Sequence, residues 1–317
     1  MARSRSRREP QQTRRRPQPA SGSRGRPGGS ARSGGSGRSG GSGRSGGRGG
    51  GAPRRQSDLA ARILYAVPLI GLAIFLVIKG GTIFAVGVLV LGLLCMHELY
   101  GMLASFRPIK LAGFLSLVGL VVAARFGTPF QMVLATTASL ALIVLLVLAS
   151  PVREGATVAV AATLLGVIWI GLPIGHAVLL RDLPHGDGIV VDVLVGTFIG
   201  DTAAYLGGRA FGTRRLAPTI SPNKTVEGWV IGMVAAIAAV WFAGLYQDWL
   251  SGADALFIGL GVAVFAPLGD LFASLVKRDV GVKDTGTVFG PHGGALDRLD
   301  AVLFTLPVGY YIWSALL

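Results

Sequence analysis

The chain is 317 residues long with a formal charge of +14, and it is 51% hydrophobic but only 15% charged; soluble domains average about 25% charged residues. Residues 1–57 hold fifteen Arg, no Lys and a single acid, Glu9, whereas residues 58–317 hold fifteen bases and fifteen acids. A basic balance by itself suggests nucleic acid, but the neutral remainder lends that no support, so no nucleic-acid partner is expected. The lone cysteine, Cys95, excludes a disulfide framework and any multi-cysteine metal site.

In chain order, the first element is the low-complexity tail 1–57, Arg-rich and then built of Ser-Gly-Gly-Arg repeats. It has too little apolar surface to offset its chain entropy and reads as disordered. From Asp58 onward, apolar stretches alternate with short polar loops. Nine candidate spans fall at about 61–78, 82–104, 110–126, 130–149, 157–180, 188–207, 228–246, 254–276 and 299–317, each near the ~20 residues that cross hydrocarbon. The expected fold is an all-α polytopic integral membrane protein of about nine transmembrane helices behind the disordered tail. The second part, 58–317, divides into N-terminal spans 58–157 and a chemistry-bearing region 158–317.

Orientation follows from Lys and Arg. With the tail in the cytoplasm, eleven bases fall in cytoplasmic loops, and only Lys79, Arg125 and Arg181 fall on the other side. The expected location is the cytoplasmic membrane, with the tail and the long loops 208–227 and 277–298 facing the cytoplasm.

Two spans carry charge, which inside a membrane points to function. Asp201, Tyr205 and Gly208 are spaced i, i+4, i+7 and share one helical face, as do Asp270, Ser274 and Lys277. A buried Asp–Lys pair between helices is the plain alternative. The loop after the second stripe holds four bases, four acids (Asp279, Asp284, Asp297, Asp300), His292 and several glycines in 24 residues. Lys and Arg suit phosphate, and carboxylates beside them suit Mg²⁺ bound together with substrate phosphates. The other loop carries Ser221-Pro222-Asn223-Lys224-Thr225 and then Glu227, a phosphate-friendly turn that does not match a Walker P-loop. Glu227 equally reads as an acid at a helix N-terminus. The remaining polar residues read plainly. His176 is packed or hydrogen-bonded, His97 with Glu98 forms a polar helix end, Cys95 is a small core residue, and His185, Asp187 and Asp192 are solvated on the far side.

These residues resemble the phosphatidate cytidylyltransferase (CDP-diacylglycerol synthase) family. Its C-terminal signature falls in register on Ser274, Val276, Lys277, Arg278, Lys283, Asp284, Gly286, Phe289, His292, Gly293, Gly294, Asp297, Arg298, Leu299 and Asp300. Upstream elements match at Asp201 to Arg209 and at Ser221 to Gly228. The likeness covers about 160–317, and residues 58–157 match only in hydropathy and in Glu98 at the end of the second span. The departures are Gly290-Pro291 in reversed order, Ala295 for a larger apolar residue, Asn223 for a Lys, and Ala301 for a small polar residue; none removes a charged group.

The resemblance implies transfer of CMP from CTP to phosphatidic acid, yielding CDP-diacylglycerol and pyrophosphate. It implies Asp270 and Asp297 as metal ligands for Mg²⁺, with Asp284 a further candidate and a second cation left open. Lys277, Arg278, Lys283 and Arg298 would hold triphosphate, pyrophosphate or lipid phosphate. Ser221, Lys224 and Thr225 would close on phosphate from the other loop, with Asp201, Glu227 and Ser274 in the substrate-binding set. His292 would donate to a phosphate oxygen or orient the loop. Implied partners are CTP, phosphatidic acid and the bilayer, with a homodimer left open. Rival readings are a cytidylyltransferase acting on another lipid phosphate, and an ion-coupled transporter using Asp201 and Asp270.

Overall fold

The computed structural model describes residue 68 and residues 70–151, 154–286 and 293–317. The tail read as disordered, the start of the first span, and His292 lie outside the described residues.

Apolar runs of this length form helices because lipid offers no hydrogen bonds, so each backbone group must be satisfied within its own segment. The helices are α1 (Ile70–Lys79), α2 (Gly81–Met102), α3 (Lys110–Phe126), α4 (Pro129–Leu148), α5 (Ala156–Asp182), α6 (Gly186–Phe211), α7 (Val226–Gly244), α8 (Gly252–Asp279), α9 (Leu296–Leu299) and α10 (Val302–Leu316). Local chemistry sets several boundaries. Thr128 and Gln131 form a capping box ahead of Pro129 at the start of α4. Ser251 caps α8 by accepting from the Asp254 amide at 3.1 Å, and Thr225 caps α7 by accepting from that of Gly228 at 3.2 Å. Between α6 and α7 runs an antiparallel hairpin of β1 (Arg215–Ala217) and β2 (Ser221–Thr225).

Among the described residues, six helices are long and apolar enough to cross a membrane: α2 and α4 to α8. Eight of the nine expected spans coincide with described helices, but α3 has 17 residues and α10 has 15, and the first span is described mainly over Ile70–Lys79. Lipid-facing character is plain in the side chains left outside the core. Phe126, Phe130 and Leu148 are each 70% or more exposed, which is costly in water.

Helix ends sort into two sets. At one end Arg125 meets Asp182 at 3.4 Å, Arg181 donates to the Val77 carbonyl at 2.6 Å, and the Trp313 indole donates to the Pro184 carbonyl at 2.8 Å. Asp192 also lies toward that end, and here the expectation of a solvated residue is wrong. It is fully buried and accepts from the Gln247 amide at 2.8 Å. His185 and Asp187 are exposed, as expected, and the His185 ring stacks on Trp249 with ring centroids 4.3 Å apart. The opposite end gathers the C-terminus of α2, the hairpin, the end of α8, and α9.

The helices that carry the site touch backbone to backbone. A Cβ on Gly228 would lie 2.6 Å from the Ala204 carbonyl oxygen and 2.8 Å from the Gly208 Cα, and one on Gly232 would lie 2.8 Å from the Gly200 carbonyl oxygen. Small residues are what allow helices to approach so closely in a membrane. Gly228→Leu should therefore cost about 1–3 kcal/mol by overpacking, read as a lower melting temperature of the detergent-solubilised protein.

Candidate active site

At the α9 end, four segments surround one cavity of about 590 Å³. From α6 come Asp201, Tyr205 and Gly208, which share a face as their spacing predicts. The hairpin adds Asn223, Lys224 and Thr225, α8 adds Asp270, and the C-terminal segment adds Asp297 and Asp300. The inner wall is made of small and apolar residues, among them Ala204, Ala236 and Ala266. Pro267, also in the wall, removes one helical hydrogen bond from α8 beside Asp270.

Four carboxylates facing one space need cations. Lys224, from the hairpin, forms an ion pair with Asp270. Lys277, at the end of α8, meets Asp297 at 2.7 Å, and both side chains are largely buried, at 13% and 9% exposure. Asp297 also accepts from the Thr285 amide at 2.9 Å and the Gly294 amide at 3.1 Å. Burial pushes the Asp297 carboxyl up, but the hydrogen bond from Lys277 and the two amides outweigh it, so its pKa falls below the usual carboxylate range. Asp297 is therefore a carboxylate at neutral pH. Asp300 is buried, and its Oδ1 accepts from the Ala301 amide at 2.9 Å. The sequence reading counts Asp300 in the signature without giving it a role, and the structure puts it in the cavity wall.

The other residues singled out from the sequence fall around this centre. Ser221 opens β2 and Ser274 lies one turn beyond Asp270; neither lines the cavity. The Arg278 guanidinium donates to the Ile220 carbonyl at 3.4 Å, tying α8 to the hairpin. Glu227 lies outside the cavity wall. Its carboxylate accepts from the Thr213 amide at 3.1 Å, the Thr213 hydroxyl at 2.5 Å and the Arg214 amide at 3.2 Å, holding the chain between α6 and β1. Lys283 and Asp284 are exposed on the turn after α8. Arg298 points to the other side of α9, where it lines a second, apolar cavity. His176 is hydrogen-bonded to the Leu172 carbonyl at 2.8 Å and the Tyr311 hydroxyl at 3.1 Å, and Cys95 is buried in the core, as their plain readings held.

Glu98 corrects the sequence reading. It is not merely a polar helix end: only 5% exposed, it reaches from α2 into the signature segment. Its carboxylate accepts from the Ala295 amide at 3.0 Å, the Leu296 amide at 2.9 Å and the Thr285 hydroxyl at 3.1 Å. It thus satisfies the first amides of α9, a helix too short to supply its own N-cap. Gly294 must be glycine here, since a Cβ would lie 2.3 Å from the Glu98 Oε2, and Gly293 beside it adopts φ +83. A carboxylate nearly 200 residues upstream leaves no spacing signal; its traces in the sequence are its place at the end of an apolar span and its match to the resembled family.

Among the described residues no three His, Cys, Asp or Glu side chains form a ready-made metal cage. The donor set suits a different kind of site. Mg²⁺ is usually held by one or two carboxylates plus substrate phosphates, and Asp270 and Asp297 face the same cavity.

A family model described as "Cytidylyltransferase family" matches residues 60–316. A protein named phosphatidate cytidylyltransferase from Bacillus subtilis (strain 168) is 34% identical over 269 residues, covering 80% of this chain and 97% of that one. A protein of the same name from Staphylococcus aureus (strain COL) is 30% identical over 251 residues, covering 76% and 94%. An uncharacterised Escherichia coli (strain K12) protein is 37% identical over 157 residues, covering 48% of this chain and 53% of that one.

Glu98→Ala should leave two buried amides and a hydroxyl without an acceptor, at about 1–3 kcal/mol per group. We expect a markedly lower melting temperature, while Glu98→Gln, which keeps an acceptor oxygen, loses less.

Proposed function

The chain belongs to the cytidylyltransferase family, and we propose that it transfers CMP from CTP to phosphatidic acid, forming CDP-diacylglycerol and releasing pyrophosphate. One observation carries this reading: the stripe on α6, the hairpin and the signature segment, remote in sequence, meet around one cavity at the end of an apolar bundle. Near full-length relatives named for that reaction support it.

The chemistry asks little of a base. The lipid phosphate is already an anion; one of its oxygens attacks the α-phosphorus of CTP, the bond from that phosphorus to the bridging oxygen breaks, and pyrophosphate leaves with the electron pair. The barrier lies in bringing anion to polyanion, so positioning and positive charge matter most. In this reading the Lys224 and Lys277 ammoniums leave their carboxylates and engage phosphate oxygens as nucleotide enters. The indole N–H of Trp229, buried in the cavity wall and without a partner among the described residues, is a further donor for the nucleotide. We further propose Mg²⁺ as cofactor, held by Asp270 and Asp297 and supplying charge neutralisation of the triphosphate.

We also propose nine crossings, with the site in the cytoplasm. The two short helices α3 and α10 support this: at 1.5 Å per residue, their 17 and 15 residues span roughly 22–26 Å, close to a hydrocarbon core of about 30 Å. Of the described loop bases, Arg125 and Arg181 sit among the contacts at the end opposite the site, whereas Lys224, Lys277, Arg278, Lys283 and Arg298 gather at the site end, in keeping with a bias of basic residues towards the cytoplasm.

Purified protein given labelled CTP, phosphatidic acid and Mg²⁺ should release CDP-diacylglycerol. If phosphatidic acid is inert while a polyprenol or ether-lipid phosphate reacts, the acceptor named here is wrong. Asp297→Asn should lower turnover at least about 10³-fold while the protein still reaches the membrane, and near-normal activity would remove Asp297 from the centre. Deleting residues 1–55 should leave turnover largely intact, measured in the same assay.

A further inference from the structure

The segment Asp297-Arg298-Leu299-Asp300 is a wall with two faces. Asp297 and Asp300 line the polar cavity, while Arg298 and Leu299 line a second cavity of about 380 Å³ on the opposite side. That volume lies within the range of small-molecule sites, about 300–1,000 Å³. Apart from Arg298, its walls are uncharged: Leu72, Ala73 and Leu76 from α1, Phe84 and Val88 from α2, and Leu194 and Phe198 from α6 are typical. Arg298 is its only charged lining residue among those described.

The cavity is elongated along the helices. On α10 and the residues before it the lining runs from Arg298 to Leu306, and on α6 from Phe198 back to Val190. At 1.5 Å per residue each stretch covers about 12 Å. The two helices run in opposite directions, so both stretches place Arg298 at the site end and apolar side chains towards the bilayer interior. A guanidinium at the mouth of an apolar slot parallel to the bundle matches a molecule with an anionic head and a hydrocarbon tail. A guanidinium presents two parallel donors to a phosphate, and an apolar slot lets a hydrocarbon chain stay among apolar neighbours as it does in the bilayer.

We infer that this second cavity seats an acyl chain of the lipid acceptor, with Arg298 holding its phosphate monoester beside the nucleotide cavity. The inference rests on the cytidylyltransferase reading and deepens it by assigning separate cavities to the two substrates. Arg298 adjoins Asp297 in the chain, so the phosphate it holds sits at the wall between the two cavities while the chain stays in the bilayer.

The test is photolabelling of the intact protein with phosphatidic acid bearing a diazirine near the end of one acyl chain. A phosphatidylcholine probe of the same chain, which lacks the monoester, serves as control. Labelling at Leu72, Ala73, Leu194 or Phe198, stronger than with phosphatidylcholine, is expected. Label confined to the nucleotide cavity at Ala204, Trp229 or Leu271, or label no stronger than the control, overturns the assignment. As a second measurement, Ala73→Trp fills the slot from a half-buried position outside the polar site. It should raise KM for phosphatidic acid about tenfold, with KM for CTP and the melting temperature unchanged; an unchanged lipid KM overturns the inference. Absence of CDP-diacylglycerol from the wild-type protein would refute the reaction, whereas labelling reads lipid binding without turnover, so the two failures are distinguishable.

Discussion

Carboxylates at the edge of hydrocarbon survive only beside cations or hydrogen-bond donors, and this constraint organises the chemistry-bearing half of the molecule. Asp201, Asp270, Asp297 and Asp300 face one cavity. Lys224 and Lys277 each pair with one of these acids across a gap between separate segments. The pairs therefore hold together what the helices alone do not: Lys224 draws the hairpin onto α8, and Lys277 draws the end of α8 onto the signature segment. Removing either partner of the buried Lys277–Asp297 pair strands the other, which for buried pairs costs about 3–5 kcal/mol.

The same pairs explain how a site for a polyanion can be stable before that polyanion arrives. A cluster of free lysines would repel itself, and a cluster of free aspartates would repel the nucleotide. Interleaving them gives a centre in which two of the four carboxylates are already paired and partners can be exchanged: lysines to phosphate, carboxylates to metal. On the proposed reaction, binding does not create charge in the cavity but redistributes it. This also separates an enzyme from an ion path. Two of the acids here are paired with ammoniums held by the hairpin and the end of α8 at one end of the bundle, not strung through its middle.

Much of this was legible in the sequence, because helical spacing projects directly onto a face. Asp201, Tyr205 and Gly208 line one wall as i, i+4, i+7 requires. The Asp270–Lys277 stripe was less faithful. Both ends reach the site, but Lys277 acts through Asp297, and Ser274 between them does not line the cavity. Span counting found the apolar helices but not their lengths, since hydropathy does not see where a short helix stops. Asp192 shows the opposite failure: a polar residue near a span end looks solvated until a partner such as Gln247, 55 residues later, covers it. Glu98 stands out as a family match at the end of its span, but its partners do not, as a local pattern cannot report a contact made across the fold.

Glu98 also shows why the N-terminal helices are more than a membrane anchor. The signature segment needs acceptors for the first amides of α9, and glycines at 293 and 294 make it compliant. Compliance suits a loop that must admit substrates, but it gives no fixed position for Asp297. A rigid helix from the other half of the domain provides that position with one carboxylate serving three donors. The precision of the site thus comes from α2, while its chemistry comes from α6, α8 and the C-terminal segment. That division explains why the motif-bearing residues from about 160 onward cannot form this site alone: without the α2 carboxylate, α9 would begin on unsatisfied amides, and the wall that separates the two cavities would lose its anchor.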